Sequence, residues 1–531
     1  MRGEEKNSLA TRVQTRFEQG LALHQAGHLT QAREIYLRVL ELQPHHADAQ
    51  HLAGVVAYQT GNLVEAVERM GRAIELNPGM VAAYSNRGLA LRDLRRSAEA
   101  LDSYDLALKL KPELAVVHSN RGLVLHDLGR LEEAVESYDA ALRLEPDYAE
   151  ARVNRGNALK DLGRLDEALE SFDRALALKP DLAVVHSNRG VVLQELKRLA
   201  EALDSFDRGL KLAPDHAETH WNLALCRLLM GDFARGWEGY EWRWANAQLK
   251  GQIGEKRRCA QPLWLGAEPL QGRTILLYGE GGLGDTLQFC RYAKLAADSG
   301  ARVILEVPAS LLALLEKNLA GVAQVVEQGC ALPAFDIHCP LPSLPLAFKT
   351  GLNNVPAVDP RIASDPARVA EWQARLGKPT APRIGLVWSG NASHRNDRKR
   401  SVALRELIEQ LPPQCQYVSL QKETRPSDDD ALGEHREILR FDAKLNDFAD
   451  TAALCQLMDV VISVDTSVAH LAGAMGRPVW IMLPFLPDWR WLLDREDSIW
   501  YPSARLFRQD SAGDWAGVFA KVRTALLRRF G

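Results

Sequence analysis

Cysteine is scarce and unpatterned. The seven in 531 residues, at Cys226, Cys259, Cys290, Cys330, Cys339, Cys415 and Cys455, are odd in number, scattered and without a C-x-x-C pair. That usage points to buried thiols in a reducing compartment and away from a disulfide framework. The opening MRGEEKNSLATRVQTRF has no apolar stretch of the signal-peptide kind, and no uncharged run of about 18 residues occurs. A cytoplasmic protein without a transmembrane segment is therefore expected. A net charge of −4 argues against a general nucleic-acid binder, and 531 residues are too many for one domain. No Asp-x-Asp closes a strand to hold a metal, and Asp428-Asp429-Asp430 reads as a solvated polar loop.

What the chain has is a period. Pro44, Pro78, Pro112, Pro146, Pro180 and Pro214 each stand 34 residues after the last. Gly20, Gly54, Gly88, Gly122, Gly156 and Gly190 recur with them, as do Ala32, Ala66, Ala100, Ala134, Ala168 and Ala202. A large side chain follows each alanine by four residues: Tyr36, Met70, Tyr104, Tyr138, Phe172 and Phe206. Small residues at those places let two helices approach closely. The pattern resembles tetratricopeptide (TPR) repeats, whose unit is about 34 residues, and predicts an all-α TPR superhelix over 1–244 of six full repeats and a capping seventh. The seventh, from Ala217, keeps Gly231, has Gly236 for the usual alanine and ends in Trp237, Tyr240, Trp242 and Trp244. Terminal repeats are expected to cap or to dock.

A second ladder, Asn86, Asn120, Asn154, Asn188 and Asn222, recurs on the first helix of successive repeats. Asparagine is a mediocre helix former, and its amide both donates and accepts, which suits the backbone of an extended peptide. These five are the candidate acceptor-binding residues, and the stripe resembles the asparagine ladder of protein O-GlcNAc transferases. The competing reading is that they tie neighbouring helices together. His216, Glu218 and His220 have metal-ligand spacing, but His118 and His186 occupy the same repeat position as His220, so the repeat accounts for them.

After a linker over 245–273, with a basic stretch Lys250–Arg258, the rhythm changes to that of strands and helices. TILLYGE, GGLGD, TLQFCRYAKLAADSG and RVILEVP read as strand, turn, helix and strand. The first half spans 274–350. A proline-rich connection over 351–382 leads to a second half, 383–531, with strands RIGLVWSG, QYVSLQ, DVVISV and PVWIML and helices VALRELIEQL and SVAHLAGAMG. Two doubly wound halves with a cleft between them form the α/β architecture called GT-B.

Gly279, Gly281 and Gly284 satisfy G-x-G-x-x-G, with Glu306 about 20 residues on, which is formally a dinucleotide fingerprint. Asp285 follows the third glycine at the helix start, where its charge would repel a pyrophosphate. The loop Gly281, Gly282, Gly284 serves equally to present Asp285 as a general base for an acceptor hydroxyl, or Asp285 is a helix cap. In the second half Asp465-Thr466-Ser467 opens the helix containing His470, an arrangement of N–H groups and hydroxyls suited to an anion such as a nucleotide diphosphate. Asn391, then the basic loop from His394 through Arg398, Lys399 and Arg400, and Gln421 with Lys422 follow strands at the same edge, where open α/β sheets bind ligands. Pro487-Asp488-Trp489-Arg490-Trp491 and Trp500-Tyr501-Pro502 fit either packing or the lining of a donor pocket.

GGLGDTLQF resembles the acceptor-side motif of ADP-heptose:lipopolysaccharide heptosyltransferases, and SVDTSVAHLAGAMGRPVWIML their nucleotide-sugar motif, across roughly 274–530. The resemblance implies Asp285 as base, Thr466 and Ser467 on the donor diphosphate, His470 close by and one cation among Arg398, Lys399 and Arg400 at the leaving nucleotide. Ser467 replaces the family's glycine. The whole layout is similar to bacterial TPR-containing glycosyltransferases, including those that modify flagellin, and to O-GlcNAc transferase. A lipid-linked sugar needs no solenoid of this length, whereas a protein acceptor gains effective concentration from being held. The expectation is a metal-independent, inverting transfer of sugar from a nucleotide-sugar to a Ser or Thr hydroxyl of a protein bound by the repeats, with no cofactor. The alternatives are a TPR scaffold with an inactive transferase-like region and, more distantly, a nucleotide-dependent oxidoreductase.

Overall fold

The computed structural model describes residues 2–253, 256–358, 361–393 and 396–531, with only the backbone of 2–8, 250 and 252. His394 and Arg395 of the basic loop lie outside the described residues. The chain divides into two compact units, Met1–Leu196 and Lys197–Gly531.

The first unit is a row of helices, Arg2–Gln25, Leu29–Leu42, Ala47–Gln59, Leu63–Leu76, Val81–Asp93, Ser97–Leu110, Ala115–Asp127, Leu131–Leu144, Ala149–Asp161, Leu165–Leu178 and Ala183–Glu195. The glycine ladder does what its spacing predicts. A Cβ added at Gly88, Gly122 or Gly156 would stand 2.6 Å from the ring of Tyr104, Tyr138 or Phe172, so the aromatic side chain fills the space that glycine vacates. Two features of the period were not read from the sequence. Arg121 and Arg155, each next to a ladder asparagine, bridge helices by donating to Asp105 and Ser137 (both 2.6 Å) and to Asp139 and Ser171 (2.6 and 2.7 Å). His118, Arg152 and His186 each reach back to the carbonyl of the repeat proline, at 2.9 Å from His118 and 3.0 Å from His186. His220 does the same to Pro214 at 2.7 Å in the second unit, so these histidines serve the repeat's own turn.

The second unit begins with the helices Leu199–Leu212, Ala217–Leu229 and Phe233–Tyr240 and continues into two parallel sheets. The first sheet has strands β1 (Thr274–Tyr278), β2 (Arg302–Val307), β3 (Ala323–Glu327) and β4 (Ile337–Pro340) in the order β3-β2-β1-β4. The second has β5 (Arg383–Val387), β6 (Gln416–Ser419), β7 (Val460–Val464), β8 (Val479–Leu483) and β9 (Ala504–Arg508) in the order β6-β5-β7-β8-β9. β1, β5, β7 and β8 are buried along their whole length, as strands covered by helices on both faces must be. Strand order reverses between β1 and β4 and between β5 and β7, and loops at such switch points are where open α/β sheets form crevices.

The expected single helix TLQFCRYAKLAADSG is two, Leu283–Phe289 and Tyr292–Asp298. The interruption coincides with buried Arg291, whose Nε donates to the Gln288 carbonyl (2.7 Å) and whose Nη1 donates to that of Trp500 (2.9 Å). No described helix is long and apolar enough to cross a membrane.

Candidate functional site

The turn after β1 and the turn after β7 meet. Gly284, in the Leu283–Phe289 helix, faces His470, in the Ser467–Ala474 helix, so closely that a Cβ at Gly284 would lie 2.8 Å from His470 Cδ2. This glycine is required by helix packing. Gly281 is a different case, with φ +118°, backbone that only glycine adopts freely.

Around that contact the two sheets bring their carboxyl-end side chains together. Asp285 stands in the first turn of its helix, about a third exposed (35%), and makes no capping bond, since Gly282 is the N-cap residue. Its Oδ1 accepts from Arg490 Nη2. Arg490, on the turn after β8, also donates from Nε to Gln288 Oε1 (2.5 Å) and from Nη1 to Asp488 Oδ1 (2.8 Å). The carboxylates Asp488 and Asp285 outweigh burial and hold the guanidinium's pKa well above its usual range.

Asp465 is largely buried, and burial reinforced by the nearby Asp488 pushes its carboxyl up to about 6. Its backbone carbonyl accepts from Arg400 Nη1 (3.0 Å). His470 Nε2 lies 3.8 Å from Asp465 Oδ1, while Nδ1 is 2.9 Å from the Tyr501 hydroxyl. Burial, and then Arg490, lowers the imidazole well below its ordinary value, so it is neutral at pH 7. Thr466 is the residue before the first turn of the Ser467–Ala474 helix, and its hydroxyl pairs with that of Ser463 (3.0 Å). Ser467 is half-buried beside it.

The remaining expected donor residues divide. Arg398 and Lys399 are exposed and Arg400 half-buried, with its buried Nε 3.9 Å from Asp397 Oδ1 and without a hydrogen-bond partner among the described residues. Asn391 is exposed and accepts from the backbone and hydroxyl of Ser393 (3.0 and 2.9 Å). Gln421 is engaged by the backbone of Ser389, at 2.9 and 3.4 Å, tying the ends of β5 and β6. Lys422 donates to the carbonyls of Asp442 and Leu445. Asp428 is not the solvated residue expected. It is buried and accepts from Trp388 Nε1 (2.9 Å), while Asp429 and Asp430 are exposed. Glu306, the acidic partner in a dinucleotide fingerprint, is buried and ion-paired with Arg257 of the linker (2.8 Å).

The roles of three arginines were missed. Besides Arg490 they are Arg425, which binds Asp397 (2.5 Å) and the Gly390 carbonyl (3.1 Å), and Arg243 of the seventh repeat, which holds Glu280 in the glycine turn. The two aromatic segments pack. Trp489 meets Trp237 edge to face with ring centroids 5.0 Å apart, Trp491 stacks on His470 at 5.5 Å, and Trp500 lies against Phe289 at 6.0 Å. The seventh repeat therefore docks, with Trp237 Nε1 also donating to the Thr350 carbonyl (2.9 Å).

On the ladder, Asn86 bonds His51 (3.0 Å) and Asn188 bonds Asn157 (2.9 Å), which are ties between helices. Asn120, Asn154 and Asn222 are half-buried, and their amides have no protein partner among the described residues.

Comparison with known proteins finds repeats in the first part of the chain. Models described as TPR repeat match residues 122–163 and 156–197, and models described as tetratricopeptide repeat match 17–69, 65–115 and 183–216. The chain is similar to Protein FlbA of Caulobacter vibrioides, 28% identical over a match of 330 residues that covers 57% of this chain and 54% of that protein. It thus spans about half the length of this curated relative. Among solved structures it is similar to YrrB, described as a TPR protein with an unusual peptide-binding site, at 25% identity over 35% of this chain and 95% of that one, with a TM-score of 0.32. A tetratricopeptide repeat protein from Parabacteroides merdae is 17% identical over 45% of this chain and 96% of that one, with a TM-score of 0.38. Residues 17–115 and 122–216 are thus tetratricopeptide repeats, and the strand-bearing remainder is an α/β region of parallel sheets.

Proposed function

We propose that this protein is a glycosyltransferase of GT-B type that moves a sugar from a nucleotide-sugar to a Ser or Thr hydroxyl of a protein held by the repeats. The observation that carries this reading is the meeting of two switch-point turns through Gly284 and His470, which gathers Asp285, Asp465, Arg400 and Arg490 in one place. One turn offers a carboxylate to an acceptor, and the other offers helix N–H groups and guanidinium groups to a departing diphosphate. In this scheme the acceptor oxygen bonds to the anomeric carbon as the bond to the donor phosphate breaks, and the hydroxyl proton passes to Asp285. A single displacement inverts the anomeric centre. The three asparagine amides without a protein partner among the described residues support a peptide acceptor. The engagement of Asp285 by Arg490 favours a second reading, an interaction scaffold whose transferase-like region is inactive.

Intact masses of proteins from cells with and without the gene separate the two readings, alongside turnover of UDP-, GDP- and ADP-linked sugars by the purified chain without added metal. Glycosyl mass increments that depend on the gene support transfer. No increment and no turnover of any of the three donor classes leaves the scaffold.

A further inference from the structure

Glu280 has no company. Its neighbours in the turn from Gly279 to Gly282 are glycines, the residues that lose most freedom when fixed, so the turn has one side chain by which it can be held. That side chain is 5% exposed and gripped by Arg243, 1% exposed, through Nε to Oε2 (2.8 Å) and Nη2 to Oε1 (2.6 Å). The rest of the guanidinium is bound to Glu241 Oε1 (2.6 Å), the Ser343 hydroxyl (2.7 Å) and the Tyr240 carbonyl (3.3 Å). Arg243 is thus fixed from several sides before it meets Glu280, and a planar fork transmits orientation as well as charge.

We propose that Arg243 is a positioning residue for Asp285: through Glu280 the end of the seventh repeat fixes the glycine turn and so sets where the Asp285 carboxylate stands. The inference rests on the assignment of Asp285 as the base. A second contact runs to the same carboxylate from the same repeat. Trp237 and Tyr240 pack on Trp489 at ring distances of 5.0 and 6.4 Å, and the next residue, Arg490, donates to Asp285. The seventh repeat therefore acts on both the backbone that carries Asp285 and the side chain that binds it. Displacements of about 1 Å at reacting groups cost roughly 100-fold in rate.

Two full-length variants test this. Arg243→Lys keeps the charge and loses the fork. Arg243→Met with Glu280→Gln removes both charges of that pair together, which buried pairs tolerate far better than loss of one partner, and leaves Glu241, 20% exposed, with the Ser343 hydroxyl. The expected result in both is faster amide hydrogen exchange across 279–286, by about 10-fold or more, with β5 to β9 unchanged. With whichever of the UDP-, GDP- or ADP-sugars the parent uses, kcat should fall by about 10-fold or more while KM and the affinity for the corresponding nucleoside diphosphate stay within about twofold. A folded double variant with parental kcat overturns the proposal, as does a parallel loss of kcat, diphosphate affinity and melting temperature, the mark of a merely structural pair. If the parent turns over none of these donors, the assignment of Asp285 fails by itself. The exchange experiment then stands alone, and unchanged exchange across 279–286 in both variants overturns the clamp.

Discussion

Arg490 reaches from the turn after β8 to Asp285, on the helix after β1, and donates to its carboxylate. The pair joins residues 205 positions apart. Asp285 is therefore held by a side chain from the opposite sheet, and its replacement tests chemistry and packing separately. Asp285→Asn keeps an oxygen for Arg490 and should leave the melting temperature within a few degrees. Transfer should fall roughly 100-fold or more, the usual effect of removing a general base. Transfer at the parental rate reduces Asp285 to an anchor for Arg490.

Gly284→Ala reports on the helix contact. Alanine is worth about 1 kcal/mol more than glycine in an open helix position, so a glycine kept for a ligand alone predicts a more stable variant. Here the added methyl meets His470 at 2.8 Å, and overpacking of that kind costs about 1–3 kcal/mol. Chemical denaturation should show net destabilisation, and a stabilised variant would contradict the packing.

Much of the repeat region was legible because its rules are local. The 34-residue interval and its glycine-aromatic pairs lie within single hairpins, and each Cβ clash at Gly88, Gly122 or Gly156 is with a residue 16 positions later. β1, β2 and β5 to β8 were readable as mainly apolar runs. β3, β4 and β9 were not: AQVVE is only partly buried, IHCP has a histidine and a proline, and ARLFR has two arginines. Within the site, Asp285 and the Asp465-Thr466-Ser467 turn were legible from their places after strands. Arg490, Arg425 and Arg243 were not, because an arginine's role depends on its partner, and these partners lie 205, 28 and 37 residues away. Gln421 has a structural role that its position did not show. Its position at a strand end suggested a ligand, while its burial against Ser389 joins two strands.

The Asp465 carboxyl, raised from its ordinary 3.8 to about 6, makes stability depend on pH. A carboxyl raised on folding binds its proton more tightly in the folded state, so its stabilising contribution is full below about pH 4 and is lost as pH climbs to about 6. At about 1.4 kcal/mol for each tenfold change, the loss is at most about 3 kcal/mol. His470, lowered on folding, acts in the opposite sense, withdrawing stability as pH falls below about 6.5. Asp465→Asn should match the parent near pH 4, gain on it between about pH 4 and 6, and hold the gain to pH 8. Urea unfolding at pH 4.5, 5.5 and 7 measures the difference, and a difference constant across that range would remove Asp465 as its source.

The asparagine ladder yields the last prediction, because its members are not equivalent. Asn188 donates to Asn157 and Asn86 pairs with His51, so replacing either removes a tie between helices. Asn120 and Asn154 have no such partner among the described residues and are half-buried, which leaves their amides for water or for a peptide backbone. Changing both to Ala should leave thermal unfolding of the repeats close to the parent, since alanine is also the better helix former. If the ladder holds the acceptor, the same variant should lose acceptor affinity. Each amide contact contributes about 0.5–1.5 kcal/mol, so two together amount to roughly 5- to 150-fold. Binding of a nucleoside diphosphate should not change, because nothing in that site uses either residue. Asn188→Ala serves as the contrast, expected to lower the unfolding temperature through loss of the Asn157 bond. Normal modification of the acceptor by a folded Asn120→Ala, Asn154→Ala variant would move recognition off the ladder. Unfolding of that variant would mean that these two residues, like Asn86 and Asn188, hold helices together.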